Sequence, residues 1–166
     1  WIEAVQVQGE LVGQITPTST PTPEATPTDA VLWTTYQDTD PLLVYGNGEW
    51  EMFEVAAANG GTLTASADPN ATLTVAFEGT GIRVLYSQGP EGGDISAQVD
   101  AGMVQVVSGL GKGYSYNHML AFEALPQGEH TLTVTNGDGA IWIEAVQVQG
   151  ELVGQITPTS TPTPEA

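Results

Sequence analysis

The stretches ATLTVAF at 71–77 and GIRVLYS at 81–87 place apolar side chains at every second position. The positions that share one face are Leu73, Val75 and Phe77 in the first stretch and Ile82, Val84 and Tyr86 in the second. A period of two with β-branched residues is typical of a half-buried β-strand. Because EGTG at 78–81 is a turn signal, the sequence predicts two strands joined by a turn.

The same pattern extends outward from this pair. EHTLTVTN at 129–136 alternates Leu132 and Val134 with threonines. Further turn signals are GNG at 46–48, NGG at 59–61, DPN at 68–70, PEGG at 90–93, DAG at 100–102 and NGDG at 136–139. No segment has the period of an amphipathic helix. Short strands with regular turns predict an all-β fold over 29–153, an antiparallel two-sheet sandwich.

The composition limits the classes of partner. The 166 residues include 20 Asp and Glu but only 2 Lys and Arg, for a formal charge of −18, and there is no cysteine. Such a charge disfavours nucleic acid and anionic membrane surfaces, and favours cationic or neutral partners such as divalent metals, sugars or basic protein patches. We expect no membrane insertion in this segment, since no apolar run approaches the length of a bilayer span.

An internal repeat divides the chain. WIEAVQVQGELVGQITPTSTPTPEA occupies residues 1–25 and recurs without change at 142–166, a period of 141 residues. A period of this length marks an array of domains rather than a solenoid. The sequence therefore predicts one module of a tandem array: the last strand and tail of a preceding repeat at 1–15, a linker at 16–28, the module at 29–153, and the start of the next linker at 154–166.

The linker TPTSTPTPEATPT at 16–28 is rich in proline and threonine. Alternating prolines fix the backbone and remove hydrogen-bond donors, so we expect polyproline II of about 3.1 Å per residue, roughly 40 Å in all. The composition matches an O-glycosylated stalk as well as an unmodified linker. The candidate O-linked sites are Thr16, Thr18, Ser19, Thr20, Thr22, Thr26 and Thr28. Asn70, in PNAT, meets the N-linked acceptor pattern.

Five segments occur in an order that resembles a known family. They are DTDPLLVYGNGEW at 38–50, FEGTGIRVLY at 77–86, AQVDAG at 97–102, ALPQGEHTLTV at 124–134 and WIEAVQV at 142–148. Together they resemble the galactose-binding-like jelly rolls that form repeated modules of microbial and fungal surface proteins. The resemblance implies a jelly roll of eight or nine strands, often a carbohydrate-binding module, sometimes with structural calcium. The chain departs from the family where Glu144 replaces the usual Asp of the last strand.

Glu144 shares the phase of Val146 and Val148, so its carboxylate is expected to point inward, where an uncompensated charge is costly. Three arrangements would remove this cost: an ion pair with Arg83 or Lys112, a bulge after Ile143, or calcium coordinated jointly with Asp38 and Asp40. These three carboxylates are the candidate metal ligands. No other cofactor is required.

Tyr114 and Tyr116 follow the Gly-rich loop GLGKG and are candidates to stack on sugar rings, although packing at the rim of the core is the alternative. Catalysis is not expected. The only histidines, His118 and His130, are predicted to pack against apolar neighbours, and no GxSxG motif is present.

These features predict a structural module of an extracellular tandem-repeat fibre or cell-surface protein, with modules joined by stiff spacers. The alternative is a carbohydrate-binding or adhesin module. The expected partners are neighbouring repeats, covalent glycans and environmental polysaccharide.

Overall fold

A computed structural model describes residues 32–154 of the chain. The predicted preceding strand at 1–15, the linker at 16–28 with its seven candidate hydroxyls, and the second linker beyond residue 154 lie outside these residues. The described part is built of ten β-strands: β1 Thr34–Gln37, β2 Val44–Gly46, β3 Glu51–Glu54, β4 Thr62–Ser66, β5 Thr72–Gln88, β6 Asp94–Val99, β7 Gln105–Ser108, β8 Ser115–Phe122, β9 Gly128–Asn136 and β10 Ile141–Leu152. Within 32–154 no helix has the length and apolarity to cross a membrane.

The two stretches that open the sequence analysis form one strand. The predicted turn at 78–81 is wrong, since β5 runs unbroken for 17 residues from Thr72 to Gln88. The glycines there serve close packing instead. A Cβ atom added to Gly79 would lie 2.0 Å from the carbonyl oxygen of Gln149, so only glycine lets β10 approach this closely. Gly150, at φ 143°, meets Glu78 in the same way.

Strand β5 belongs to both layers of the fold. Its second half pairs with β10 on one side and β8 on the other, while its first half pairs with β9 and β2. The first layer continues from β10 to β4 and β1 and from β4 to β3, and the second continues from β9 to β6 and β7. Every strand pair is antiparallel. The sheet therefore curls over itself as a β-sandwich of the jelly-roll type, as the sequence predicted.

The core lies between the two layers. The alternating positions predicted to face inward are buried: Leu73, Val75 and Phe77 are fully inaccessible, and Ile82, Val84, Tyr86, Leu132 and Val134 are 0–6% exposed. The last strand, predicted at 141–149, extends as β10 to Leu152 and packs Ile141, Ile143, Val146 and Val148 into the same core. The described domain is thus completed by its own last strand.

Candidate functional site

One cleft of about 830 Å³ opens beside the edge strand β3. It is bounded by β3, β4, the start of β8 and the start of β10. Five aromatic side chains line it: Trp50, Phe53, Tyr114, Tyr116 and Trp142. They come from three separate segments of the chain, which the sheet brings to one side of the first layer. Tyr114 and Tyr116, the two candidates for stacking on sugar rings, therefore both line a concave, aromatic surface.

The aromatic rings are held in place by their neighbours. Tyr114 meets Trp142 edge-on, with 5.7 Å between ring centroids and an interplanar angle of 80°. A Cβ atom on Gly89 would lie 2.7 Å from the Tyr114 ring, so only glycine at this position leaves room for the ring. Trp50 packs against Tyr45 at 4.8 Å and donates its indole N–H to the Gly46 carbonyl at 3.2 Å. These contacts fix the positions of Tyr114, Trp142 and Trp50, and Tyr114 remains 57% exposed to solvent.

The cleft is also acidic. Glu49, Glu51, Glu54 and Glu91 line it and are all exposed. Of the described residues that line the cleft, none is Lys, Arg or His. The alternation of Glu49 and Glu51 around Trp50 is visible in the sequence, but the convergence of Glu54 with Glu91 is not, because 37 residues separate them. The arrangement combines flat apolar rings with acceptors that carry negative charge.

Glu144 lies behind the cleft and is fully buried. Its Oε1 accepts hydrogen bonds from the Ser87 hydroxyl and the Asn117 backbone N–H, each at 2.8 Å, and its Oε2 accepts one from the Asn59 backbone N–H at 2.7 Å. Asn117 has a positive φ of 59°, which turns its N–H toward this carboxylate. Since Ser87 also lines the cleft, this buried carboxylate supports the cleft wall.

The alternatives for Glu144 are now resolved in part. The predicted bulge is present, because the pairing of β10 with β5 shifts register between Ile143 and Ala145. It does not move the carboxylate to solvent. The ion pair with Arg83 is wrong, since that guanidinium binds Glu123 and stacks on Trp33, with 3.7 Å from its central carbon to the ring centroid. Hydrogen-bond donors from two strands, β5 and β8, and from the turn at Asn59 compensate the charge instead.

Asp38 is the second fully buried carboxylate. Its two oxygens accept hydrogen bonds from the hydroxyls of Thr62 at 2.5 Å and Thr64 at 2.8 Å. The Tyr45 hydroxyl donates to the Asp38 backbone carbonyl at 2.8 Å. Burial raises the pKa of that phenol, and the nearby Asp38 charge raises it further. Asp38 thus ties the end of β1 to β4.

The three candidate calcium ligands do not form one site. In residues 32–154 no three side chains of His, Cys, Asp or Glu are grouped to hold a metal ion. Asp40 instead accepts the Leu42 backbone N–H at 2.9 Å, capping its own turn. Calcium requires six to eight oxygen ligands, whereas N–H and hydroxyl donors surround Glu144. The backbone N–H groups that contact Glu144 cannot coordinate calcium, so the donor set around this carboxylate does not fit the ion.

The histidines bind local partners. His118 Nε2 lies 2.8 Å from the Ser115 hydroxyl, and its ring packs on Tyr86 at 5.6 Å. His130 packs on Phe77 at 5.3 Å, as its phase predicted, but its Nδ1 also lies 2.7 Å from an Asp100 carboxylate oxygen. Among the hydrogen bonds of the described residues, no carboxylate orients His118, so the Ser115–His118 pair lacks the third member of a hydrolase triad.

Asn70, the candidate N-linked site, is exposed in the turn before β5. Its φ of 65° is left-handed, a conformation that asparagine adopts more readily than most residues. Modification there stays a prediction.

No protein-family description and no curated protein matches this chain. Solved structures do. A two-domain esterase (CEX) active on acetylated mannans has a TM-score of 0.58 and 14% identity, covering 83% of this chain and 41% of the esterase. A family two carbohydrate esterase from Cellvibrio japonicus has a TM-score of 0.57 and 13% identity, and the match covers 76% of this chain and 37% of the esterase. An exo-β-1,3-galactanase from Phanerochaete chrysosporium has a TM-score of 0.50 and 18% identity, and the match covers 70% of this chain and 29% of the galactanase.

The chain thus spans 29–41% of the length of these three proteins. At identities of 13–18% the likeness shows the fold alone: a jelly-roll-like domain of a kind found in carbohydrate-active proteins.

Proposed function

We propose that residues 32–154 form a non-catalytic carbohydrate-binding domain and that the cleft is its binding site. The observation that carries this proposal is the set of five aromatic side chains that line one cleft together with exposed carboxylates. Flat rings stack on the apolar faces of sugars, and carboxylates accept hydrogen bonds from hydroxyl groups. The fold's likeness to domains of carbohydrate esterases and a galactanase supports the same class of ligand.

The absence of catalysis is part of the proposal. Ser115 and His118 are within hydrogen-bond reach, but a serine nucleophile also needs an oriented base and an oxyanion hole. Most of the length of the three enzymes is not matched by this chain, so their activities do not transfer to it. We expect no hydrolysis of acetylated mannan or β-1,3-galactan by the purified chain, with Ser115→Ala as the matched variant. Hydrolysis that Ser115→Ala abolishes would contradict this part.

A second role, as a repeated module of an extracellular fibre or surface protein, is favoured by a different observation. The 25 residues at 1–25 and 142–166 are identical. In such an array the domains would be neighbours on Thr/Pro spacers, with covalent glycans on the spacer hydroxyls. Intact mass spectrometry of native material tests the glycans, because an unmodified mass would contradict them. The two roles are compatible, since repeated binding sites on one chain raise avidity for a polymer.

Binding is tested with the whole 166-residue chain on a glycan array that includes mannan, β-1,3-galactan and chitin-derived oligosaccharides. Tyr114→Ala removes one stacking ring and should raise the dissociation constant of the tightest-binding glycan about tenfold, the usual cost of losing a central aromatic contact.

Met119→Ala is the matched control, because Met119 is 52% exposed on β8, the strand that begins directly after Tyr114, but lies outside the cleft. An equal loss in both variants, or no glycan bound by the parent chain at all, would overturn the proposal.

A further inference from the structure

We infer that the cleft selects a polysaccharide that carries protonated amines, of which chitosan, the deacetylated form of chitin, is the simplest. This inference rests on the proposed function and specifies its ligand class. It follows from the charges of the cleft walls, the aromatic rings between them and the lack of basic side chains among the described residues that line it.

The charges exclude one class of sugar and favour another. Four glutamates line the cleft, and the net charge of −18 adds a negative potential around it. A uronate or sulfated chain would bring like charges within a few ångströms of these carboxylates. A neutral chain meets no such repulsion but gains no attraction. A chain of protonated amines gains an ion pair at each glutamate that it reaches.

Neither of the two basic side chains of the sequence lines the cleft. Arg83 is engaged by Glu123 and by the Trp33 ring, and Lys112 is not among the lining residues. Recognition of an anionic sugar would need such a group in the wall. The cleft offers carboxylate oxygens instead.

The aromatic rings act in the same direction. The face of a tryptophan, and less strongly that of a tyrosine, attracts an ammonium group within about 6 Å of its centroid. Trp50, Trp142 and Tyr114 stand in the same cleft as the glutamates, so one amino sugar can stack its ring and place its charge near a carboxylate. A flexible basic peptide would gain the charge contacts without stacking rigid sugar rings, so the aromatic side chains of the cleft favour the polysaccharide.

Isothermal titration of the 166-residue chain with chitosan hexamer and with fully N-acetylated chitin hexamer isolates the charge. Both have the same backbone and length, and in a mildly acidic buffer, where the amines are protonated and the glutamates remain ionised, only the first is cationic. We expect at least about fivefold tighter binding of the chitosan hexamer at low salt. Raising the salt to about 1 M, where the screening length falls to about 3 Å, should remove that advantage.

The double variant Glu51→Gln/Glu54→Gln should weaken chitosan binding by about four- to twenty-five-fold and change binding of the acetylated hexamer by less than about twofold. Glu129→Gln is the matched control, since Glu129 is exposed on β9, outside the cleft. Chitosan binding that falls equally in the control would overturn the inference.

The other outcomes separate the inference from the proposed function. Equal binding of the two hexamers, or preference for a polyuronate, overturns the inference and leaves carbohydrate binding standing. Polylysine that binds as tightly as chitosan, with the same sensitivity to Glu51→Gln/Glu54→Gln, overturns it in favour of a basic-peptide site. A chain that binds no glycan of any charge overturns both.

Discussion

Glu51 and Glu144 stand two strands apart in the same layer, and they illustrate two uses of an acidic side chain. Glu51 is exposed on the edge strand β3 at the rim of the cleft, whereas Glu144 is fully buried on β10 beneath three hydrogen-bond donors. The carboxylates that produce the formal charge of −18 therefore have different roles. Carboxylates such as Glu144 fasten strands to turns, and those of the cleft wall stay open to solvent and ligand.

The largest contrast is expected from truncating each of these two residues. Glu144→Ala would leave two backbone N–H groups and one buried hydroxyl without their acceptor. Each unsatisfied buried group costs about 1–3 kcal/mol, so unfolding should become easier by at least about 3 kcal/mol. Glu51→Ala should change stability by less than about 0.5 kcal/mol, as for other exposed positions.

Urea denaturation of both variants, followed by tryptophan fluorescence, measures this difference. Glu144→Gln should have an intermediate effect on stability. The amide keeps one oxygen that accepts a hydrogen bond, but its NH2 group then faces an N–H or O–H donor of the protein. If Glu144→Ala and Glu51→Ala share one midpoint, the buried carboxylate does not have the structural role that its contacts indicate.

Asp38 should give the next largest effect. Its side chain accepts only hydroxyl donors, from Thr62 and Thr64, and a hydroxyl can rotate to another partner where a backbone N–H cannot. We therefore expect Asp38→Ala to lower the unfolding free energy by about 1–3 kcal/mol, less than Glu144→Ala. Thermal unfolding with and without EGTA extends this test. An EGTA-dependent loss in the parent chain that disappears in Asp38→Ala would show that a cation, not the threonines, compensates the charge.

Asp100 is an intermediate case, since it is about half exposed and binds the imidazole of His130. The His130 Nε2 lies 2.7 Å from the Pro126 carbonyl, which can only accept. With the Asp100 carboxylate at Nδ1, both ring nitrogens can donate only when the imidazole is protonated, so the two contacts favour its charged form. The hydrogen bonds to Asp100 and to Pro126 raise the pKa of His130. Desolvation is the largest single influence on the pKa of Asp100 and raises it, but the bonds from His130 and Thr131 together lower it.

The pH dependence follows from these directions. Because the His130 pKa is raised on folding, its contribution is complete below the unfolded value of about 6.5 and is lost as the pH rises through the folded value. The Asp100 contribution is complete above about 3.9 and is lost as the pH falls. The pair should therefore stabilise most between about pH 4 and 6.5, by no more than about 1 kcal/mol given its exposure.

Urea midpoints of the parent chain and of Asp100→Asn, compared across this pH range, measure that small effect. The two curves should converge above neutral pH and separate below it. Curves that stay parallel throughout would contradict a charged His130.

Much of the fold was predictable from local pattern. The alternation in 71–77, 81–87 and 129–136 depends only on neighbouring residues, because a strand's side chains alternate by geometry wherever it lies. The side chains on the predicted face of these stretches are buried in the structure. The turn at 78–81 was mispredicted for the same local reason: glycine signals a turn in sequence, but Gly79 is there to admit Gln149, a contact across 70 residues that local pattern does not report.

The candidate site was predictable only in fragments. Tyr114 and Tyr116 were candidates because of their position beside a Gly-rich loop. Glu144 was expected to point inward, and a bulge after Ile143 was one of three alternatives for it. Trp142 was missed as a cleft residue because its place in a strand gives no sign of which loops face it.

The sequence by itself determined that this chain builds alternating strands around an apolar core, carries a large negative charge and repeats 25 residues at a period of 141. Those properties are set by composition and by neighbours along the chain. Only the tertiary structure decided what each carboxylate does. The three donors to Glu144 stand 85, 57 and 27 residues away from it in the chain. Their meeting depends on the order in which strands join the sheet, which is fixed by long-range pairing rather than by local preference.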